Sequence, residues 1–155
     1  MSRRRTVKKR IPVPDPIYKH ALIETIVRHL MKDGKKFLAY RIIYESMRKI
    51  AEITKQKPLT ILEQAIRNIT PLMEIKARRK RGYTYQLPIE VAKSRGTNLA
   101  IRWLLAACRK RIGTSTSNKL TQEILDAYKN SGNAVRKKEE IHKMAEANKV
   151  FLKKI

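Results

Sequence analysis

The apolar residues of this chain change period twice. Up to Ile69 they recur at helical spacing, from Met73 to Val91 they alternate with polar ones, and from about Thr97 the helical spacing returns. A helical stripe cannot serve as the face of a strand, nor the reverse, so the pattern demands a helical body interrupted by one β-hairpin. A first helix is expected from Asp15-Pro16, with Asp as cap and Pro in the first turn; Leu22, Ile23, Ile26, Val27, Leu30 and Met31 form its face and Gly34 its stop. A second, Lys36 to Ile53, turns Ala39, Ile43, Met47 and Ile50 inward and Arg41, Glu45, Arg48 and Lys49 to solvent. A third runs from Pro58 until Pro71 ends it, burying Leu62, Ala65, Ile66 and Ile69.

Strand residues Met73, Ile75 and Ala77 are followed, after Arg81-Gly82, by Tyr83, Tyr85, Leu87, Ile89 and Val91. Pro88 is acceptable there because both strands of a lone hairpin are edges. The segment Thr97 to Arg111 has almost no polar side apart from Arg102, which marks it as a central, buried helix. A fifth helix, with Leu120, Ile124 and Tyr128 inward, ends at Gly132, and a sixth spans about Ala134 to Asn148 with Ile141 and Ala145 inward. The expected fold is mainly α: a single domain of about six helices over residues 15–148 with one projecting β-hairpin at about 73–91. A basic extended N-terminal arm (1–14) precedes it and a short basic tail (149–155) follows.

Charge limits what such a fold can do. The chain carries 37 Lys and Arg against 13 Asp and Glu, a net +24 over 155 residues, and this self-repulsion calls for a polyanionic partner. The excess is regional. Arg3, Arg4, Arg5, Lys8, Lys9 and Arg10 precede the first acid, Asp15. Lys76, Arg78, Arg79, Lys80 and Arg81 crowd the outer end of the hairpin, where like charges on a narrow ribbon repel until a polyanion relieves them. Tyr83 and Tyr85 beside them can stack on unpaired bases, although Tyr85 shares its face with Leu87 and Ile89 and also suits the core. Gly34-Lys35-Lys36 offers a phosphate clamp at a helix N-terminus; it lacks the strand and glycine spacing of a P-loop. Arg102 within its apolar helix either snorkels or faces the partner.

No residues suggest catalysis. His20, His29 and His142 lack metal-ligand spacing, Cys108 reads as a buried small hydrophobe, and Glu139-Glu140 diverge on a helix. One cysteine excludes an internal disulfide, and the longest apolar run, Trp103 to Cys108, is too short to span a bilayer. No apolar segment follows the basic N-terminus, so it does not read as a secretory signal, and Pro12, Pro14 and Pro16 argue against a transit helix. No catalytic residue, metal, cofactor or homo-oligomer is expected.

Several longer motifs carry more than composition and spacing do. They are Asp15-Pro16 with Tyr18, Gly34-Lys35-Lys36, Ala65-Ile66-Arg67-Asn68 with Thr70-Pro71, and Lys76-Ala77-Arg78-Arg79 followed by Gly82 and Thr84-Tyr85-Gln86-Leu87-Pro88. Ala100-Ile101-Arg102-Trp103-Leu104, Ala107-Cys108-Arg109-Lys110-Arg111, and the stretches Gly132 to Glu140 and His142 to Asn148 complete the set. Together these motifs resemble one family, protein seven of the small ribosomal subunit in its bacterial and plastid form. The resemblance covers nearly the whole chain and looks more plastid than bacterial, which implies a plastid ribosome, with bacterial cytoplasm as the alternative. It implies a non-enzymatic constituent of the small subunit that binds the 3′ major domain of its rRNA and nucleates head assembly. Such a protein lies near the decoding centre, exit-site tRNA and mRNA path, beside other head proteins and platform protein eleven. Carried over by position, the N-terminal arm, Lys35, Lys36, Lys76, Arg78, Arg79 and the surface from Arg102 through Arg109 and Lys110 to Arg111 would face RNA. Lys80, Arg81, Arg95, Arg136, Lys137 and Lys138 join them as candidates. The family usually has two glycines at the hairpin tip; here Arg81 precedes a single Gly82. A DNA-binding module would need a basic recognition helix, whereas the most basic element here is a hairpin. An RNA-modifying enzyme would need a site the sequence lacks. A peripheral membrane protein would need an apolar face that the core already uses.

Overall fold

The computed structural model describes residues 13–80 and 82–149. Among them lie α1 (Ala21–Leu30), α2 (Lys36–Thr54), α3 (Pro58–Ile69), β1 (Met73–Lys80), β2 (Tyr83–Glu90), α4 (Lys93–Lys110), α5 (Thr116–Tyr128) and α6 (Asn133–Ala147). The mainly α body with a single antiparallel hairpin is as the period changes require. Most of the expected arm, Arg81 and residues 150–155 of the tail lie outside the described residues.

Local chemistry explains where the elements start and stop. Pro58, at the first turn of α3, pre-sets the helical φ. At its other end the Thr70 amide and hydroxyl both donate to the Ile66 carbonyl, at 2.9 and 2.6 Å, and Pro71 has no N–H with which to continue. Helix α1 begins later than expected. The Asp15 carboxylate accepts the amides of Ile17 and Tyr18, at 3.2 and 2.9 Å, and so closes a turn rather than capping a helix. The cap of α1 is His20, whose Nδ1 accepts the Leu22 amide at 3.3 Å. The helix also ends at Leu30, before Gly34. Helix α4 instead begins earlier, at Lys93, and takes in Gly96. A Cβ on Gly96 would meet Thr70 Cγ2 at 2.9 Å, so the glycine there permits a close crossing rather than a turn.

The helices enclose one core. Helix α5 packs on α2, α3, α4 and α6, while α4 packs on α1, α3, α5 and α6. Ile23, Val27, Ile50, Ala65, Ile69, Ala100, Ile101, Leu104 and Ala127 are wholly buried, and each large one contributes about 1.5–3 kcal/mol. Where α2 crosses α5, small polar residues allow a close approach: Thr121 Oγ1 lies 3.4 Å from the carbonyl and hydroxyl of Ser46 and bonds the Ser117 carbonyl at 2.9 Å. Two expectations fail in detail. Helix α4 is not sheathed on all sides, because Asn98, Arg102, Ala106 and Arg109 form an exposed stripe in which a small residue read as core. Tyr128, expected inward, is 38% exposed at the end of α5.

The hairpin is rooted in this body and leaves it along its length. Leu87 and Pro88 are buried, and α6 packs on both strands. At the root Val91 donates to the Leu72 carbonyl at 3.0 Å, and the Leu72 amide donates to His142 Nε2 at 3.1 Å. Arg95 grips both oxygens of Glu74 at 2.9 Å, tying β1 to α4.

Candidate nucleic-acid interface

Most of the few acids have defined basic partners. Buried Glu24 accepts Arg28 at 3.2 Å, Lys36 at 3.1 Å and the Tyr40 hydroxyl. Burial alone would raise its pKa, but the bonds from Tyr40, Lys36 and Arg28 outweigh it and hold the carboxyl below its ordinary value. Buried Glu123 accepts Arg111 Nε at 2.6 Å and the Ala134 amide at 3.1 Å, so it serves a guanidinium and the N-terminus of α6 together. Arg111 reaches Asp126 as well, which keeps its charge through these two hydrogen bonds despite burial. Glu45 holds Lys49, Glu52 faces Arg48, Glu63 meets His20, and Glu140 holds Lys137. These acids therefore bind selected cations of the helical body and serve its joints.

On the hairpin the pattern inverts. Lys76, Arg78 and Arg79 are exposed, and their side chains make no hydrogen bond or ion pair among the described residues. The register pairs Lys76 with Leu87, Arg78 with Tyr85, Arg79 with Thr84 and Lys80 with Tyr83. Directly paired residues share a face, so Lys76 and Arg78 stand on the face of Leu87 and Tyr85, and Arg79 on the opposite one. Tyr83 is 72% exposed, while Tyr85 is half-buried and Leu87 buried. The tyrosine nearer the tip therefore presents its ring to solvent and the residues below it join the root. Gly82 has φ +84, a conformation that suits glycine in a tight tip.

A second basic surface forms where distant segments meet. Lys35, just before α2, and Arg109, near the end of α4, line one cleft with Lys32; its floor is Leu30, Met31, Ala39 and Ile42, and it encloses about 220 Å³. Arg109 Nη2 lies 3.4 Å from the His29 carbonyl, which fixes α4 against the end of α1. Arg102 shares the exposed stripe of α4 with Arg109; burial and the Arg102 guanidinium hold His29 below its ordinary pKa. Lys110 is exposed beside them. Lys36 is different: its ammonium binds Glu24 and lies 5.3 Å from the centre of the Tyr40 ring.

The other candidates divide between surface and structure. Arg136 is exposed. Lys137 pairs with Glu140 at 2.8 Å, and Lys138 donates to the Asn68 carbonyl at 2.8 Å, fastening α6 to α3. Arg95 and Arg111 are held by carboxylates as above. The arm cations Arg3, Arg4, Arg5, Lys8, Lys9 and Arg10, with Arg81, lie outside the described residues. Sequence reading passed over the solvent face of α2, where Phe37, Tyr40, Arg41, Tyr44 and Arg48 line a groove; their helical spacing was the available signal. Cys108 is buried, its thiol pushed up by burial and by Glu123, and among the described residues no cluster of His, Cys, Asp or Glu could hold a metal. No helix there is long and apolar enough to cross a membrane.

Residues 2–149 match the family model described as ribosomal protein S7p/S5e. The chain is 65% identical over 153 residues to the small ribosomal subunit protein uS7c of Chlorella vulgaris, covering 99% of this chain and 98% of the relative. It is 63% identical to the protein of the same name from Prototheca wickerhamii and 56% to that from Tupiella akineta, at the same coverage.

Proposed function

The chain belongs to the ribosomal protein S7p/S5e family, and from that membership we propose that it binds small-subunit rRNA through its hairpin and its α1–α2–α4 surface. It is a structural constituent of the small subunit of the plastid ribosome and not an enzyme. The observation that carries the binding reading is the segregation of charge. Most of the paired acids bind cations of the body, while Lys76, Arg78 and Arg79 extend from it with no side-chain partner among the described residues. Cations on a ribbon two strands wide reach phosphates of RNA helices that a convex body could not approach together. Lys32, Lys35, Arg102 and Arg109 supply a second contact from a different direction, so a folded junction is gripped at two places. By this reading the RNA is the 3′ major domain, and the protein nucleates the head by cancelling phosphate repulsion where helices converge. The arm adds Arg3, Arg4, Arg5, Lys8, Lys9 and Arg10 to that contact. The hairpin lies toward exit-site tRNA and mRNA, with platform protein eleven nearby.

Filter binding of the full chain to a transcript of the 3′ major domain tests this. Neutralising about 8–10 phosphates gives a log–log salt slope of roughly −6 to −9. Replacing Lys76, Arg78 and Arg79 together with Ala should make that slope shallower by about 2–3. Equal affinity for duplex DNA, or an unchanged slope in the variant, would refute the reading.

A further inference from the structure

The outer face of α2 carries a group of side chains that the reading above leaves unused. Phe37, Tyr40, Arg41, Tyr44 and Arg48 line a single groove, whose sixth wall residue, Glu45, is held by Lys49 at 2.6 Å. Phe37 is 87% exposed at the first turn of the helix. The rings of Tyr40 and Tyr44 stack with centroids 5.6 Å apart at 23°. Their hydroxyls donate inward to buried carboxylates, Tyr40 to Glu24 and Tyr44 to Asp15 at 2.6 Å, so the ring planes are set before any ligand arrives. Burial and the Asp15 bond raise the Tyr44 phenol above its ordinary pKa, and it remains a donor. Arg41 is exposed and makes no ion pair among the described residues. Arg48 faces Glu52 at 3.6 Å with both side chains mostly in water, a pair too weak to hold it.

We propose that this face of α2 is a stacking site for an unpaired segment of RNA, with Phe37 as the platform for a base and Arg41 and Arg48 as partners for the flanking phosphates. The inference rests on the rRNA-binding reading above. Any base offers a π-face to an exposed aromatic ring, and the cations that follow along the same helix answer the backbone charge. The chemistry of the groove excludes the chain's own arm as the preferred occupant. The arm's Arg3, Arg4, Arg5, Lys8, Lys9 and Arg10 would be repelled by Arg41 and Arg48.

Ultraviolet cross-linking of the intact chain on the 3′ major domain transcript, followed by peptide mass spectrometry, reads the site directly. Nucleotide adducts are expected on the peptide containing Phe37 and Tyr40 as well as on the hairpin. Phe37→Ala should weaken binding about tenfold without changing the salt slope, and Phe37→Trp should restore it. Arg41→Ala with Arg48→Ala should make the slope shallower by about 2. Adducts on the hairpin but none on α2, with Phe37→Ala binding like the parent, would overturn the stacking site and leave the hairpin reading intact. A loss in Phe37→Ala that Phe37→Trp does not restore, without adducts on α2, would overturn it too. Absence of adducts and of salt-dependent binding altogether would refute RNA binding itself.

Discussion

The helical body and the hairpin are made from the same basic composition and handle it in opposite ways. In the body, Glu24, Glu123 and Asp126 stand among Arg28, Lys36 and Arg111, and the charge is consumed at joints between helices. On the hairpin the root acid Glu74 is taken by Arg95, and beyond it Lys76, Arg78 and Arg79 face solvent. The contrast teaches that an acid in this protein is a structural element. The buried acids Glu24 and Glu123 hold joints of the body, and the outer half of the hairpin, where a polyanion is to be met, carries none.

Substitutions should therefore separate the two regions. The largest effect is expected from Glu123→Ala, which leaves the Ala134 amide without its partner and Arg111 with Asp126 alone; breaking such a buried pair costs about 3–5 kcal/mol, measurable by urea denaturation. Gly96→Ala comes next. Its methyl would meet Thr70 Cγ2 at 2.9 Å where α4 crosses the hairpin root, and overpacking there should cost about 1–3 kcal/mol. Hydrogen exchange should show faster opening of the strand residues nearest Leu72.

Acid should act on the body through Glu24. Its folded pKa lies below the ordinary 4.5, so its contribution is present above that value and is lost as pH falls from there through the lowered one. Glu24→Gln should flatten that part of the stability profile. The smallest effect on stability belongs to the Lys76, Arg78 and Arg79 triple Ala variant, within about 0.5 kcal/mol of the parent in the same denaturation assay. A loss as large as that of Glu123→Ala would erase the distinction between the regions.

Much of this was legible beforehand, and the misses share a cause. Helices α2 and α3 and the hairpin follow from spacing, because a stripe such as Leu62, Ala65, Ile66 and Ile69 has only one periodic reading. Asp15-Pro16 misled because a carboxylate accepts nearby amides equally well in a turn and at a helix cap. Helix α4 starts at Lys93 rather than at about Thr97 because the segment before Thr97 has no apolar stripe, and Gly96 is accommodated by a close crossing that spacing does not reveal. The cations divide along similar lines. Lys76, Arg78 and Arg79 could be picked out by their density, but Arg95, Arg111 and Lys138 were indistinguishable from them until their partners were seen.

The order of residues thus established the mainly α body, the place of the hairpin and the direction of the charge excess, all properties of neighbours a few positions apart. Folding decided which cations remain available. Lys35 comes to line a cleft with Arg109, Arg111 meets Glu123, and Lys138 meets the Asn68 carbonyl only once the helices pack. A side chain's charge is written in its type, but whether that charge is neutralised depends on its neighbours in space, and these come from other elements of the chain.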